Sequence, residues 1–181
     1  MTRPWAGEPT GRGGAPRAYA AAVTREARRP LWASLELEKK GWEMAVKTSG
    51  SGTKDKPWKL KTPPGTSEYL MYRAEDADPP AIVCIVGKTE LRYHTRAIED
   101  LHAMLKKHGD WMPLGSADEQ KPAAEGTVEA WGRSPKNPVK GWYGLKKGLR
   151  GRFGMYMPPL LEALGLAEVT HEAKNNKMRA K

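Results

Sequence analysis

The chain has 181 residues, and its 31 Lys and Arg against 21 Asp and Glu give a formal net charge of +10. A chain of this length can bury a core without a metal or a disulfide, and its single cysteine excludes an internal disulfide. It has no apolar stretch of the ~20 residues that cross a bilayer and no signal-peptide pattern at its start, so we expect a cytoplasmic protein without a membrane partner.

Residues 1–43 are rich in Arg, Ala, Gly and Pro and have little of the patterning of a folded domain. Helical periodicity is limited to residues 31–43, where the apolar stripe consists of Trp32, Leu35 and Trp42. One interpretation is a disordered arm. The other is that translation starts at Met44, because residues 38–41 need almost pure purine codons where a bacterial ribosome-binding site would lie.

Regular patterning begins at residue 58, after a polar stretch over residues 44–57 that we expect to be a flexible tether. Four strands are predicted from alternation and apolar runs, at residues 58–61, 67–73, 81–86 and 89–94. The third strand is apolar throughout, which favours a central position with both faces covered. Its Cys84 is therefore expected to be a buried structural thiol.

A helix with a clear apolar face follows the fourth strand. Its predicted N-cap is Thr95, its stop is Gly109, and its apolar face consists of Ile98, Leu101, Met104 and Leu105. Further along, we predict a short strand near residues 111–114, a helical turn at 127–131, a short helix that starts at Pro158 and Pro159, and a final hairpin turning at 174–177. Residues 58–181 thus predict one α+β domain, a small antiparallel sheet of three to five strands with helices packed on one face.

The most unusual stretch of the sequence lies between Glu129 and Glu162, where no acidic residue occurs. We call residues 131–156 the basic segment. Its candidate binding residues are Arg133, Lys136, Lys140, Trp142, Tyr143, Lys146, Lys147, Arg150 and Arg152. Glycines recur at every third or fourth position from Gly141 to Gly154.

This composition suits the recognition of a polyanion. Glycine lets backbone N–H groups approach a phosphate, Arg and Lys neutralise phosphates with release of counterions, and an exposed Trp142 or Tyr143 would stack on bases. We therefore predict a non-catalytic module that binds nucleic acid or another polyanion. In the alternative interpretation Trp131, Trp142 and Phe153 belong to the core, and the glycines mark turns.

Two other functions stay open. His94 ends a strand just before a helix N-terminus, and with Arg92 and Arg96 it would form a small anion site in an enzyme or sensor for a phosphorylated ligand. The basic face would also suit an acidic protein partner. Because the sequence has no phosphate-loop, nucleophile-elbow or metal-ligand motif, we predict no catalytic residue, cofactor or metal.

Three sequence runs, at residues 60–69, 100–111 and 151–160, resemble a group of small uncharacterised proteins from high-GC bacteria. They read Leu-Lys-Thr-Pro-Pro-Gly-Thr-Ser-Glu-Tyr, Asp-Leu-His-Ala-Met-Leu-Lys-Lys-His-Gly-Asp-Trp and Gly-Arg-Phe-Gly-Met-Tyr-Met-Pro-Pro-Leu. The resemblance covers residues 58–181 and implies a domain of unknown function. It carries no activity and no site residue over to this chain.

Overall fold

A computed structural model describes residues 49–181. The predictions for residues 1–48, namely the arm, the translation start at Met44 and the stripe of residues 31–43, lie outside the described residues. Within the described range, seven strands form a four-stranded and a three-stranded antiparallel sheet, accompanied by three helices. The fold class is therefore α+β, as the sequence predicts.

The four-stranded sheet is a meander of neighbouring strands. Its strands are β1 (Trp58–Lys61), β2 (Glu68–Ala74), β3 (Ala81–Val86) and β4 (Thr89–His94), and they pair in this order. Because side chains alternate along a strand, one face buries a continuous set of large residues: Trp58, Leu60, Tyr69, Met71, Ile82, Cys84, Leu91 and Tyr93. This face lies on the core, and the prediction of four strands here is confirmed.

Helix α1 (Ala97–His108) packs on that core through Ile98, Leu101 and Leu105. Its acidic residues lie in the first turn and its basic residues in the last, which complements the helix dipole. The expected N-cap at Thr95 is wrong, because the capping position is Arg96 and no side chain accepts a capping hydrogen bond there. The predicted stop is confirmed, because Gly109 has a left-handed conformation with a φ of 76°.

The second sheet contains β5 (Met112–Pro113), β6 (Ala167–Val169) and β7 (Lys177–Ala180), with β7 in the middle. The predicted final hairpin is formed by β6 and β7. Between β5 and β6 lie α2 (Val128–Trp131) and α3 (Phe153–Ala163). Helix α3 contacts α1, α2, β1 and β6, and so joins the two sheets.

The predicted start of the third helix at Pro158 is wrong. Helix α3 begins at Phe153, so Pro158 and Pro159 lie inside it. The sequence suggested a proline start because proline is favoured in the first turn. The earlier start has a tertiary cause: the amide of Gly154 donates a hydrogen bond of 2.7 Å to the buried carboxylate of Glu129, which stabilises the positive end of the helix.

Residues 49–57 lead into the first sheet and contact it. The Arg73 amide in β2 donates to the Gly52 carbonyl at 2.8 Å, and the Lys59 amide donates to the Ser49 carbonyl at 3.3 Å. A Cβ on Gly52 would overlap the Trp58 ring. This part of the predicted tether therefore packs on β1 and β2.

Cys84 lies at the centre of β3 and is fully buried. Burial in apolar surroundings raises the pKa of its thiol. The prediction of a structural rather than a reactive cysteine agrees with this position. Among the described helices, none combines the length and the apolar character required to cross a membrane.

Candidate polyanion-binding surface

The basic segment begins in α2, runs along the edge of β4 that faces away from β3, and ends in α3. The His94 amide donates to the Tyr143 carbonyl at 2.9 Å, and the Leu145 amide donates to the Arg92 carbonyl at 2.8 Å. Residues 143–145 thus extend the four-stranded sheet beyond β4, with Gly144 opposite Tyr93. The two candidate anion sites of the sequence are therefore neighbours at this edge.

The guanidinium of Arg133 makes only hydrogen bonds that hold the fold together. Its guanidinium donates to the carboxylate of Glu129 at 2.9 Å and to the carbonyl oxygens of Ala117, Asp118 and Lys121. The Glu129 side chain is fully buried and the Arg133 side chain is 10 % exposed. Burial raises the pKa of Glu129, and the hydrogen bonds from Gly154 and Arg133 offset this rise only in part. A buried charge needs such a partner, so Arg133 is unavailable to a ligand.

Arg150 and Arg152 are neutralised by carboxylates from the loop at residues 116–125, which we call the acidic loop. Arg150 donates to Glu119 through its backbone amide at 2.9 Å and through its guanidinium at 2.6 and 2.9 Å. Arg152 donates to Asp118 at 2.5 Å. These hydrogen bonds lower the pKa of both carboxyl groups. The acidic loop therefore balances part of the charge of the basic segment.

The two aromatic candidates have different surroundings. Tyr143 is fully buried, its ring stacks with those of Trp131 and Phe153, and its hydroxyl donates to Asp100 at 2.7 Å. It cannot stack on a base. Trp142 is half-buried, and the guanidinium carbons of Arg133 and Arg150 lie 4.6 and 4.7 Å from its ring centroid. These two cation–π contacts occupy ring surface that a base would need.

Most glycines of the basic segment serve close packing. A Cβ on Gly144 would overlap the backbone of Arg150, one on Gly151 would overlap the acidic loop, and one on Gly154 would overlap the Leu114 carbonyl. Gly141 differs, since nothing lies within 4 Å of the position of its Cβ. The glycine spacing thus reflects chain packing at Gly144, Gly151 and Gly154.

The lysines of the basic segment are its available cations. Lys136, Lys140, Lys146 and Lys147 are exposed, and none of them makes an ion pair within residues 49–181. The backbone around Lys136 and Lys140 is held by Asn137, a buried amide that donates to the carbonyls of Trp131 and Gly141 and accepts from the amides of Val139 and Gly141. Hydrogen bonds thus hold the backbone around Lys136 and Lys140, while the side chains of all four lysines are exposed to solvent.

The alternative anion site is less open than the sequence suggested. Arg92 pairs with Glu90 at 2.7 Å and Arg96 pairs with Asp100 at 2.6 Å. Burial and the neighbouring Arg96 lower the pKa of His94, so its imidazole is neutral at physiological pH. Both arginines of this site thus have a carboxylate partner already.

Sequence reasoning missed the acidic partners of these arginines. Glu129 and Arg133 are four residues apart, a spacing that places them on one side of a helix and could have revealed the pair. Asp118 and Glu119 lie 34 and 31 residues from their partners. No local pattern in the sequence indicates such distant pairs.

These features describe a small α+β domain with exposed lysines in the chain before and after the sheet-edge residues 143–145. Residues 50–181 match the model of a family of unknown function (DUF6855), and the chain belongs to this family. The resemblance to a domain of unknown function is therefore confirmed at the level of the family. No curated protein and no solved structure matches the chain.

Proposed function

We propose that the protein is a non-catalytic module that binds a polyanion, nucleic acid in particular, through Lys136, Lys140, Lys146 and Lys147. One contrast carries the proposal: the three arginines of the basic segment have carboxylate partners, whereas these four lysines have none among the described residues. Their charge is balanced only by solvent ions, whose release on binding a polyanion is favourable.

The backbone at Lys140 supports a role for this lysine in binding. Lys140 has a φ of 55°, the left-handed region that a residue with a Cβ adopts at a cost of about 1–2 kcal/mol. The adjacent Gly141 has a φ outside that region, so the strained position carries the cation and not the glycine. Residues held in this region cluster at ligand-binding sites; Arg152 shares the conformation, with a φ of 59°, but its guanidinium is paired with Asp118.

The expected binding is weak, independent of base sequence and sensitive to salt. Exposed lysines contact phosphates without reading base edges, and the buried ring of Tyr143 provides no stacking platform. With four lysine contacts at most, the slope of log K against log salt for duplex DNA should be no steeper than about −3.6.

The four exposed lysines suit an extended ligand better than a small one. Small-molecule sites are concave and enclose most of the ligand. Two pockets of the described structure have volumes of about 190 and 570 Å³. Neither is lined by any of the four lysines, or by Arg92, His94 or Arg96 of the small-ligand alternative. This arrangement favours a polyanion over the alternative of a small phosphorylated ligand.

Fluorescence anisotropy with a short labelled DNA duplex, across a series of salt concentrations, tests the proposal. Replacement of both Lys146 and Lys147 by Gln should weaken binding at low salt and make the salt slope shallower by about 1.8. The matched control is Lys106→Gln/Lys107→Gln, an equally exposed lysine pair at the end of α1, which should leave both quantities unchanged.

Two results would overturn the proposal. One is the absence of binding by the wild-type chain at low salt. The other is an equal loss in both double variants, which would assign the affinity to overall charge. Titration with poly-glutamate distinguishes the acidic-partner alternative, which requires that this polypeptide bind at least as tightly as DNA.

A further inference from the structure

The larger of the two pockets, which we call the hairpin cavity, has a volume of about 570 Å³. It lies where the turn between β1 and β2, strand β5, the first turn of α3 and the turn between β6 and β7 come together. Volumes of about 300–1,000 Å³ are typical of small-molecule sites. The cavity is separate from the proposed polyanion surface, because none of the four lysines lines it.

The large apolar side chains of the hairpin cavity come from distant parts of the chain: Pro63, Pro64, Pro113, Leu114 and Met155. Pro63 and Leu114 are buried, and Pro64 and Met155 are half-buried. Proline has no backbone N–H to offer a ligand, so the three prolines add apolar contact without amide donors. Such a wall suits the apolar part of a ligand, whose removal from water is favourable.

The charged residues that line the hairpin cavity are both lysines. Lys174 and Lys177 are exposed, neither makes an ion pair in the described part of the chain, and no acidic residue of that part lines the cavity. Lys177 lies opposite Pro113 in the pairing of β5 with β7. Because side chains alternate along a strand, both face away from the core residues Met112 and Met178. The cavity therefore combines an apolar wall with positive charge of one sign only.

Hydrogen bonds hold the turn that carries these two lysines. The side chain of Asn176 donates to the Glu172 carbonyl at 2.8 Å and accepts from the Glu172 amide at 2.7 Å. The Nδ1 of His171 lies 2.9 Å from the Pro63 carbonyl oxygen, a hydrogen bond that joins the β6–β7 hairpin to the turn between β1 and β2. Two walls of the cavity are thus connected within the fold, and the cavity is formed before a ligand binds.

Other polar side chains at the cavity offer a ligand less. The Thr127 hydroxyl donates to the Ala124 carbonyl at 2.6 Å and accepts from the Ala130 amide at 3.1 Å. Asn176 is occupied by its bonds to Glu172. Hydrogen bonds from a charged group are roughly twice as strong as neutral ones, so the two ammonium groups are the strongest donors left for a ligand.

We propose that the hairpin cavity binds a small amphipathic anion, namely a carboxylate with an apolar body. Its carboxylate group contacts Lys174 and Lys177, and its apolar body lies against Leu114 and Met155 and the three prolines. A cationic or zwitterionic ligand would lack an acidic partner at this wall. The role is independent of the proposed function, since it uses other lysines and another surface.

Isothermal titration calorimetry of the full 181-residue chain with sodium octanoate tests this proposal. Hexanoate, which is two methylenes shorter, should bind about 15-fold more weakly if both methylenes are buried. The neutral 1-octanol should bind about tenfold more weakly or worse, because it makes no charge-assisted hydrogen bond.

A double variant tests the two cations. Lys174→Gln/Lys177→Gln should weaken octanoate binding about tenfold or more and leave the affinity for 1-octanol unchanged. The matched control is Lys106→Gln/Lys107→Gln, an exposed lysine pair that does not line the cavity, and it should bind both ligands like the wild type.

Several outcomes would overturn the proposal. One is the absence of octanoate binding by the wild-type chain, and another is equal affinity for octanoate and 1-octanol, which would leave the lysines without a role. An equal loss in the two double variants would assign the effect to overall charge. Tighter binding of octyl phosphate than of octanoate, lost in Lys174→Gln/Lys177→Gln, would replace the carboxylate by a phosphate.

Discussion

The carboxylate of Glu129 in α2 accepts a hydrogen bond of 2.7 Å from the backbone amide of Gly154 in α3. The same carboxylate accepts from the guanidinium of Arg133, which reaches on to three carbonyls of the acidic loop. One buried acid therefore connects the two ends of the basic segment and, through its arginine, the loop that neutralises that segment. The free lysines lie between these fixed ends.

Replacement of Glu129 should strongly destabilise the protein. Glu129→Ala leaves Arg133 with no carboxylate partner and the first turn of α3 without its acceptor, so we expect a loss of about 3–5 kcal/mol in the free energy of unfolding. Urea denaturation measures this loss. Glu125→Ala, at an exposed position in the acidic loop, should change the same quantity by less than about 0.5 kcal/mol. Similar losses in the two variants would contradict the role of Glu129.

Two glycines of the basic segment should respond differently to alanine. Gly154→Ala places a methyl group on the Leu114 carbonyl and should cost about 1–3 kcal/mol or prevent folding. Gly141→Ala meets no atom within 4 Å and should be nearly neutral. Thermal unfolding of both variants provides the comparison. Unchanged DNA affinity in Gly141→Ala would agree with binding by lysine side chains, whereas a large loss would point to backbone contacts at this glycine.

The ion pair of Glu119 with Arg150 should contribute to stability in a pH-dependent way. The hydrogen bond from Arg150 lowers the pKa of Glu119 in the folded chain. Such a carboxylate stabilises the fold above its unfolded pKa, about 4.3, and this stabilisation is lost as the pH falls through the folded value. Urea midpoints below about pH 4.3 should therefore fall less steeply for Glu119→Gln than for the wild type. Parallel pH profiles would rule out the contribution, and Glu125→Gln is the control.

Lys140→Gly should separate stability from binding. Glycine adopts the left-handed conformation of residue 140 without strain, so the free energy of unfolding should rise by up to about 1 kcal/mol. Affinity for DNA should fall, because one of the four free cations is removed. Lys136→Gly is the matched control: it removes an equally exposed cation without relieving a positive φ and should not stabilise the protein. A variant at Lys140 that binds DNA with undiminished affinity would exclude this lysine from the interface.

The strands were predictable because their signals are local. Alternation at Trp58 and Leu60 and the unbroken apolar run at residues 81–86 both follow from which faces are covered, and the observed bounds agree with the predicted ones. The start of α3 was not predictable in this way. It depends on the Glu129 carboxylate, which reaches Gly154 only in the folded chain.

The sequence predicts which residues make up the candidate site, but not which of their side chains are free to contact a ligand. The sequence identifies every cation of the basic segment. The pairing of Arg150 with Glu119, however, joins residues 31 positions apart, and no local sequence pattern indicates it. Exposure of aromatic residues is equally non-local, since Tyr143 is buried by Trp131 and Phe153. Lysine and arginine have the same sequence signal here, and the fold separates them into solvent-facing and structural roles.

The strand-like run at residues 143–145 has a consequence for colloidal behaviour. Without it, β4 would be an exposed edge strand with an unpaired amide at His94 and an unpaired carbonyl at Arg92. Such edges pair with strands of other molecules and promote aggregation. The hydrogen bonds from His94 to Tyr143 and from Leu145 to Arg92 satisfy these groups within the same molecule. The lysines that follow at 146 and 147 add like charges, which repel an approaching copy at this end of the sheet.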